Sequence, residues 1–165
     1  ANFYKDSTVV GSIGVTSSGA SISLGGTGAA NTLDEYEEGT WTPVFTGIGT
    51  GTLSQQYGEY TKIGNLVYLT GKCRWASKTG TASLSIAGIP FSSRNPSDSQ
   101  NRASALPVGD WVGINSLMDL NGMFRANGTN LQGVIDNGGG TSIIMNAGNI
   151  STAGEFNFSI TYIAV

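Results

Sequence analysis

Phe156-Asn157-Phe158-Ser159-Ile160-Thr161-Tyr162 carries a large apolar side chain at every second position, with Asn, Ser and Thr between them. Successive side chains of an extended strand point to opposite faces, so this run buries Phe156, Phe158, Ile160 and Tyr162 and leaves Asn157, Ser159 and Thr161 outside. Leu66 to Trp75 repeats the pattern: Val67, Leu69, Cys73 and Trp75 share one face, while Thr70, Lys72 and Arg74 share the other. Working outward, shorter runs read as strands at Trp41–Phe45, Tyr57–Ile63 and Ala82–Ile89. Pro43 suggests an edge position for the first and Pro90 ends the last. Further candidates are Ala103–Val108, Gly113–Leu120, Gly122–Ala126, Leu131–Ile135 and Thr141–Asn146. Asn121-Gly122, Asn127-Gly128 and Asp136-Asn137-Gly138 read as hairpin turns, since Asn and Gly tolerate positive φ. Nowhere does a helical apolar repeat appear. The expected fold class is all-β: an antiparallel, jelly-roll-like β-sandwich over residues 34–165.

Composition narrows the function. Of 165 residues only 12% are charged, 25 are Gly, and the net charge is −3. Disordered chains combine low hydrophobicity with high net charge, whereas here apolar residues persist along the whole length; short strands with Gly-rich turns fit better. The acidic balance and singly scattered Lys and Arg argue against nucleic acid, whose phosphates require clustered cations. No apolar run approaches the length of a membrane span, and Ala1-Asn2-Phe3-Tyr4-Lys5 does not read as a signal peptide. One cysteine, Cys73, and no histidine leave no intrachain disulfide, no His/Cys zinc site and no His-based triad. No metal or cofactor and no enzymatic activity are expected.

Residues 1–33 differ from the rest. Val9, Val10, Ile13, Val15, Ile22 and Leu24 are spread among Ser, Thr, Gly and Ala, in short β-like pieces such as Ser12–Val15 and Ala20–Leu24. So few apolar side chains cannot offset the entropy of ordering the segment by itself. It is either a disordered tail or a slender stem that buries its apolar groups against other chains; the β-branched content favours the stem. Asn31 to Gly39 reads as a charged, solvated junction between this stem and the head. Its acidic cluster, Asp34-Glu35 with Glu37-Glu38, shows none of the spacing of a calcium loop.

Four ordered motifs carry a resemblance. Leu33-Asp34-Glu35-Tyr36-Glu37-Glu38-Gly39-Thr40-Trp41-Thr42-Pro43 resembles the L-D-x-Y-E-E-G-T-W-T-P run that introduces the C-terminal head of bacteriophage tail fibres and tailspikes. Gly58-Glu59-Tyr60-Thr61-Lys62-Ile63-Gly64-Asn65-Leu66-Val67 and Gly88-Ile89-Pro90-Phe91 are similar to runs that follow it there. Upstream, Phe3-Tyr4 with Val10-Gly11-Ser12-Ile13 resembles segments of phage fibre shafts. The likeness covers residues 1–91 and says little about 92–155. It implies a homotrimeric fibre tip on the virion, made in the bacterial host cytoplasm, with an intertwined β stem (1–33) and a sandwich head (34–165). Implied partners are two further copies of the chain, the rest of the fibre, and host surface polysaccharide or lipopolysaccharide. The matched motifs are architectural, so no catalytic residue is carried over. Two other readings stay open: a trimerisation cap without receptor contact, and a small polysaccharide depolymerase.

For a sugar site, an aromatic platform must meet amides, carboxylates and guanidinium groups. Trp111, beside Gly109-Asp110 in what reads as a short polar break, could supply the platform. Asp110, Arg94, Asn95, Asp98, Asn101 and Arg102 could supply the polar partners if the fold gathers them from the 92–102 loop. The plainer alternative puts Trp111 in the core and leaves the loop as ordinary surface. Asp98 with Asp110 could be imagined as a glycosidase pair, although spacing along the chain does not establish the separation that such a pair requires. Trp41 is expected in the core, Tyr57, Tyr60 and Tyr68 on sheet faces or between subunits, and Cys73 buried.

Overall fold

A computed structural model of the chain describes residues 1–16, 19–24, 32–33, 35–94, 108–114, 121–124, 130–136 and 142–165. The strands are β1 (Asn2–Lys5), β2 (Thr8–Thr16), β3 (Gly19–Leu24), β4 (Thr32–Leu33), β5 (Tyr36–Trp41), β6 (Val44–Thr46) and β7 (Leu53–Ile63). They continue with β8 (Leu66–Trp75), β9 (Ser85–Ala87), β10 (Val108–Ile114), β11 (Asn121–Phe124), β12 (Asn130–Asp136), β13 (Ser142–Ile144) and β14 (Ile150–Ile163). Among the described residues the only helical element is a 3-10 turn, Ala147–Asn149, capped by the Asn146 side chain. The protein is all-β, as the alternation predicts.

Every pairing between named strands is antiparallel, and these strands make three sheets. A four-stranded sheet runs β1-β2-β3-β4, a five-stranded sheet runs β10-β14-β8-β7-β5, and another runs β11-β12-β9-β6 with β13 also on β12. The second and third face each other across one core. Trp41, Val67, Leu69, Cys73, Trp75, Phe156, Phe158, Ile160 and Tyr162 come from one side; Phe45, Ile86 and Leu131 come from the other. Aromatic rings join the layers: Phe45 lies 5.4 Å from Trp75 and 5.3 Å from Phe156 between ring centroids. Both buried indoles are satisfied, Trp41 Nε1 donating to the Thr70 carbonyl at 2.9 Å and Trp75 Nε1 to that of Ser151 at 3.0 Å. An indole N–H left without a partner there would cost on the order of 1–3 kcal/mol.

One register row explains how so many rings fit. Trp41, Gly58, Gly71 and Phe158 are cross-strand neighbours on β5, β7, β8 and β14. A Cβ at Gly58 would collide with the Trp41 indole, and one at Gly71 with the Phe158 ring. The two glycines therefore make a floor on which both rings lie, meeting edge to face at 6.2 Å in the geometry aromatic quadrupoles prefer.

Four expectations need correction. Trp41–Phe45 is not one strand: Trp41 ends β5 in one sheet and Val44 opens β6 in the other. Pro43 has no N–H to continue a ladder, and its buried ring sits at the crossing. Residues 35–39 are not a solvated junction, because Tyr36–Trp41 pairs residue for residue with β7. Gly109-Asp110-Trp111 is not a break between strands ending at Val108 and starting at Gly113. It lies inside β10, which pairs with β14 through register shifts at Val108/Asp110 and Val112/Ile114. Those irregularities, with Gly113 at φ 78, erase the period-two pattern that would have announced the strand. Asn121-Gly122 likewise lies within β11 rather than in a turn.

The short β-like pieces in 1–33 are strands, and they pair within the chain: Ser12 opposite Ser23, Ile13 opposite Ile22. β1 and β2 are joined by Asp6-Ser7, both at positive φ (51 and 66), the backbone of a type I′ hairpin turn. Among the described side chains, five large apolar groups of this sheet stay uncovered. Phe3, Tyr4, Val10, Ile13 and Ile22 are all exposed, and no described side chain of β1–β4 joins the hydrophobic core.

Candidate functional site

The predicted sugar-binding group is not assembled by its described members. Asp110 pairs with Asn157 and Trp111 with Phe156, so the two adjacent residues sit on opposite faces of the sheet. Asp110 is on the outer face. Trp111 is on the core-facing side of an edge strand, yet 43% exposed. Arg94 is elsewhere: its N–H donates to the Ile163 carbonyl at 2.8 Å. That is seven positions along β14 from Phe156 (156 to 163), or about 24 Å at ~3.4 Å per residue. Asn95, Asp98, Asn101 and Arg102 lie outside the described residues, so the imagined glycosidase pair of Asp98 with Asp110 does too.

What the fold does gather is the outer face of the five-stranded sheet. Its registers stack outward-facing residues into rows across β14, β8, β7 and β5. At one end, Ile163, Leu66, Ile63 and Tyr36 form an exposed apolar row. The next row is Thr161, Tyr68, Thr61 and Glu38, followed by Ser159, Thr70, Glu59 and Thr40. Toward the far end come Asn157, Lys72 and Tyr57, then Glu155 and Arg74, with Asp110 and Val112 of β10 alongside. The face thus grades from apolar through hydroxyl-rich to charged.

Its polar groups are oriented by their neighbours. The Tyr36 hydroxyl donates to Glu38 Oε2 at 2.7 Å, and the Tyr57 hydroxyl donates to Glu59. Each bond requires the phenol to keep its proton, and each raises that phenol above its ordinary value. Glu155 accepts from Lys72 Nζ at 3.4 Å and lies 3.5 Å from Arg74 Nε. Tyr57, 53% exposed, presents a ring beside a fixed carboxylate, the Thr70 and Thr40 hydroxyl positions and an ammonium. That donor set suits a sugar. Alternation along each strand places Tyr57 and Tyr68 on a sheet face but does not give the rows, which exist only once strand order and register are known. Tyr60 points inward, its ring 5.2 Å from that of Phe91.

The acidic junction has a different role from any cation site. Lys62 projects toward the core side at the C-terminal end of β7 and is 7% exposed. Its Nζ lies 2.6 Å from Glu35 Oε2, 3.5 Å from Glu37 Oε1 and 5.5 Å from the Phe91 ring centroid. Its pKa is raised, chiefly by the hydrogen bond to Glu35, with desolvation opposing. The Gly64 N–H also donates to the Glu35 carbonyl at 2.7 Å. Glu35-Tyr36-Glu37 and the Y-T-K-I-G motif are therefore two halves of one contact that fastens the entry of the chain to the sandwich. Among the described residues no group of three His, Cys, Asp or Glu side chains converges as a metal site would require. Nor is any described helix long and apolar enough to cross a membrane.

Cys73 is fully buried, and burial pushes its thiol up to about 12; it is a packing residue and not a nucleophile. No family model matches this chain, and neither the curated proteins nor the solved structures offer a match.

Proposed function

We propose that the chain is a non-catalytic, homotrimeric attachment module, the distal tip of a bacteriophage tail fibre, which holds a virion to glycans on the host surface. The observation that carries this reading is the uncovered sheet of residues 1–33, whose Phe3, Tyr4, Val10, Ile13 and Ile22 remain exposed in the single chain. Register and alternation put Phe3, Ile13 and Ile22 on one face and Tyr4 and Val10 on the other, and a sheet with bare apolar groups requires further cover to be stable. Other copies of the same chain supply it. The motif resemblance in residues 1–91 favours the fibre setting, and the repeated passage of the chain between the two facing sheets favours a jelly-roll-like head.

Attachment by such a module rests on multiplicity. Three equivalent weak sites linked rigidly act as one strong one, since later contacts become intramolecular. The polar half of the outer face, with Tyr57, Glu59, Thr70 and Lys72, offers the ring platform and hydrogen-bonding groups a sugar needs. Trp111, on the same sheet's edge, offers a second platform.

The test is sedimentation of the intact protein together with binding to a host-glycan array. A trimer that binds glycan without shortening it is the expected result. Tyr57→Ala and Trp111→Ala should each weaken binding while leaving the assembly unchanged. A single-chain particle at micromolar concentration would refute the reading. Cleavage of host polysaccharide would replace it with the depolymerase. A trimer that binds neither glycan nor host cells would leave the trimerisation cap.

A further inference from the structure

We propose that the apolar end row of the five-stranded sheet, Tyr36, Ile63, Leu66 and Ile163 with Tyr68 beside it, is a contact between copies of this chain in solution. This rests on the preceding reading of the chain as self-associating and names a second surface, in the head, through which it associates.

Four observations converge on it. First, the row is continuous: Tyr36 pairs with Ile63, Ile63 with Leu66, and Leu66 with Ile163, so the side chains lie side by side across four strands. Three inter-strand steps of ~4.8 Å make a band about 14 Å wide. Second, the exposure is large for aliphatic and aromatic groups: Tyr36 60%, Leu66 47%, Tyr68 46%, Ile63 45% and Ile163 44%. Together they leave on the order of 400 Å² uncovered, the size at which an apolar patch marks an interaction site and about half of one partner's share of a standard interface.

Third, the rim suits a copy of itself. Thr61 and Thr161 border the row, so burying it traps no unpaired charge behind them. Its two ends carry opposite signs. Glu38 lies on β5 at one end, while at the other Arg94 follows Ser93, which bridges to Ala164 beyond β14. Ser93 and Ala164 are buried and Arg94 is exposed, which puts Arg94 on the outer side. A second copy turned end for end brings Arg94 to Glu38 and Glu38 to Arg94, the reciprocity of a self-complementary, two-fold contact, which therefore joins chains of two different trimers rather than chains around one three-fold axis.

Fourth, other occupants fit poorly. A sugar needs several polar partners around its ring platform, but three of the four residues of the row, Ile63, Leu66 and Ile163, are aliphatic and offer none. A lipid surface attracts basic clusters, whereas this chain has net charge −3 and Arg94 is the only cation placed at this end of the face among the described residues. The polar end of the same face is left for ligand.

The experiment is sedimentation velocity on the intact chain across micromolar concentrations, with near-ultraviolet circular dichroism as a check on folding. Leu66→Lys combined with Ile163→Lys should weaken association by roughly 30-fold or more, the effect of losing a central interface contact, with the buried-tryptophan spectrum intact. Tyr57→Lys, on the same face but at its polar end, should leave association unchanged. Should the lysine pair misfold, the charge exchange decides: Glu38→Arg and Arg94→Glu should each weaken association, and the double exchange should restore it. If the folded Leu66/Ile163 variant associates like the parent, the inference fails while the trimer reading stands on residues 1–33. If the double exchange shows no recovery, the end-for-end contact is overturned. If the parent chain itself is a single-chain particle, the earlier reading falls and this one with it.

Discussion

Replacing Gly71 by alanine adds one methyl to the core face of β8, directly into the Phe158 ring. That ring has no room to retreat. It meets Trp41 edge to face at 6.2 Å on one side and Phe156 at 5.6 Å on the other. Gly71 itself is held on both flanks, by Gly58 of β7 and Phe158 of β14. Overpacking of this kind costs about 1–3 kcal/mol. Against it stands a gain of about 0.4–1 kcal/mol from the lower entropy of an unfolded alanine chain. Sterics win, and the net loss should be about 1–2 kcal/mol. Urea unfolding at fixed protein concentration reads it as a lower midpoint with an unchanged slope. A second substitution isolates the cause: Phe158→Leu removes the opposing ring, so the double variant should be more stable than the two single losses predict, by at least ~0.5 kcal/mol. A Gly71→Ala protein as stable as the parent, or strict additivity in the double variant, would refute the idea that the glycines are there to floor the rings.

Glu35→Gln with Glu37→Gln leaves the Lys62 ammonium nearly buried and without a carboxylate, which should cost about 1–3 kcal/mol in a urea midpoint. Lys62→Met, which leaves only half-exposed carboxylates behind, should cost clearly less; the reverse order would show that the contact is surface decoration. Stability should also fall at high pH. Cys73 is raised from 9.0 to about 12 and Tyr162 from 10.0 to about 12, both chiefly by burial. Folded values above the unfolded ones mean full stability below pH 9 and progressive loss from there toward 12. Cys73 alone should account for on the order of 2–3 kcal/mol at pH 11, and Cys73→Ala should flatten the urea midpoint between pH 9 and 11; an equal slope in both proteins would exclude the thiol. Finally, Ser7→Gly should stabilise the β1–β2 hairpin by about 1 kcal/mol, since Ser7 holds φ 66, where a side chain is strained. Slower amide exchange at Lys5 and Thr8 would report the gain, and faster exchange would contradict it.

The alternation in Val67–Trp75 and Phe156–Tyr162 is enough to set the fold class, because a period of two encodes which face of a strand is buried. Those runs lie in the adjacent strands β8 and β14, every second residue of each run is buried, and their core residues are readable one by one. Cys73 belongs to the core on the same grounds. The pattern fails where the backbone departs from regular pleating. β10 carries two register shifts, so Asp110 and Trp111 read as neighbours in a loop when they occupy opposite faces of a strand. At residues 35–39 the pattern fails for another reason: charged side chains read as solvent-loving, yet they flank an edge strand and pair with a lysine far along the chain. Only tertiary structure could align Tyr36, Ile63, Leu66 and Ile163, or lay Trp41 and Phe158 over Gly58 and Gly71. A sequence states which way a residue faces along its own strand. Which residue stands beside it on the next strand is decided by register, a non-local choice made by the packed core as a whole.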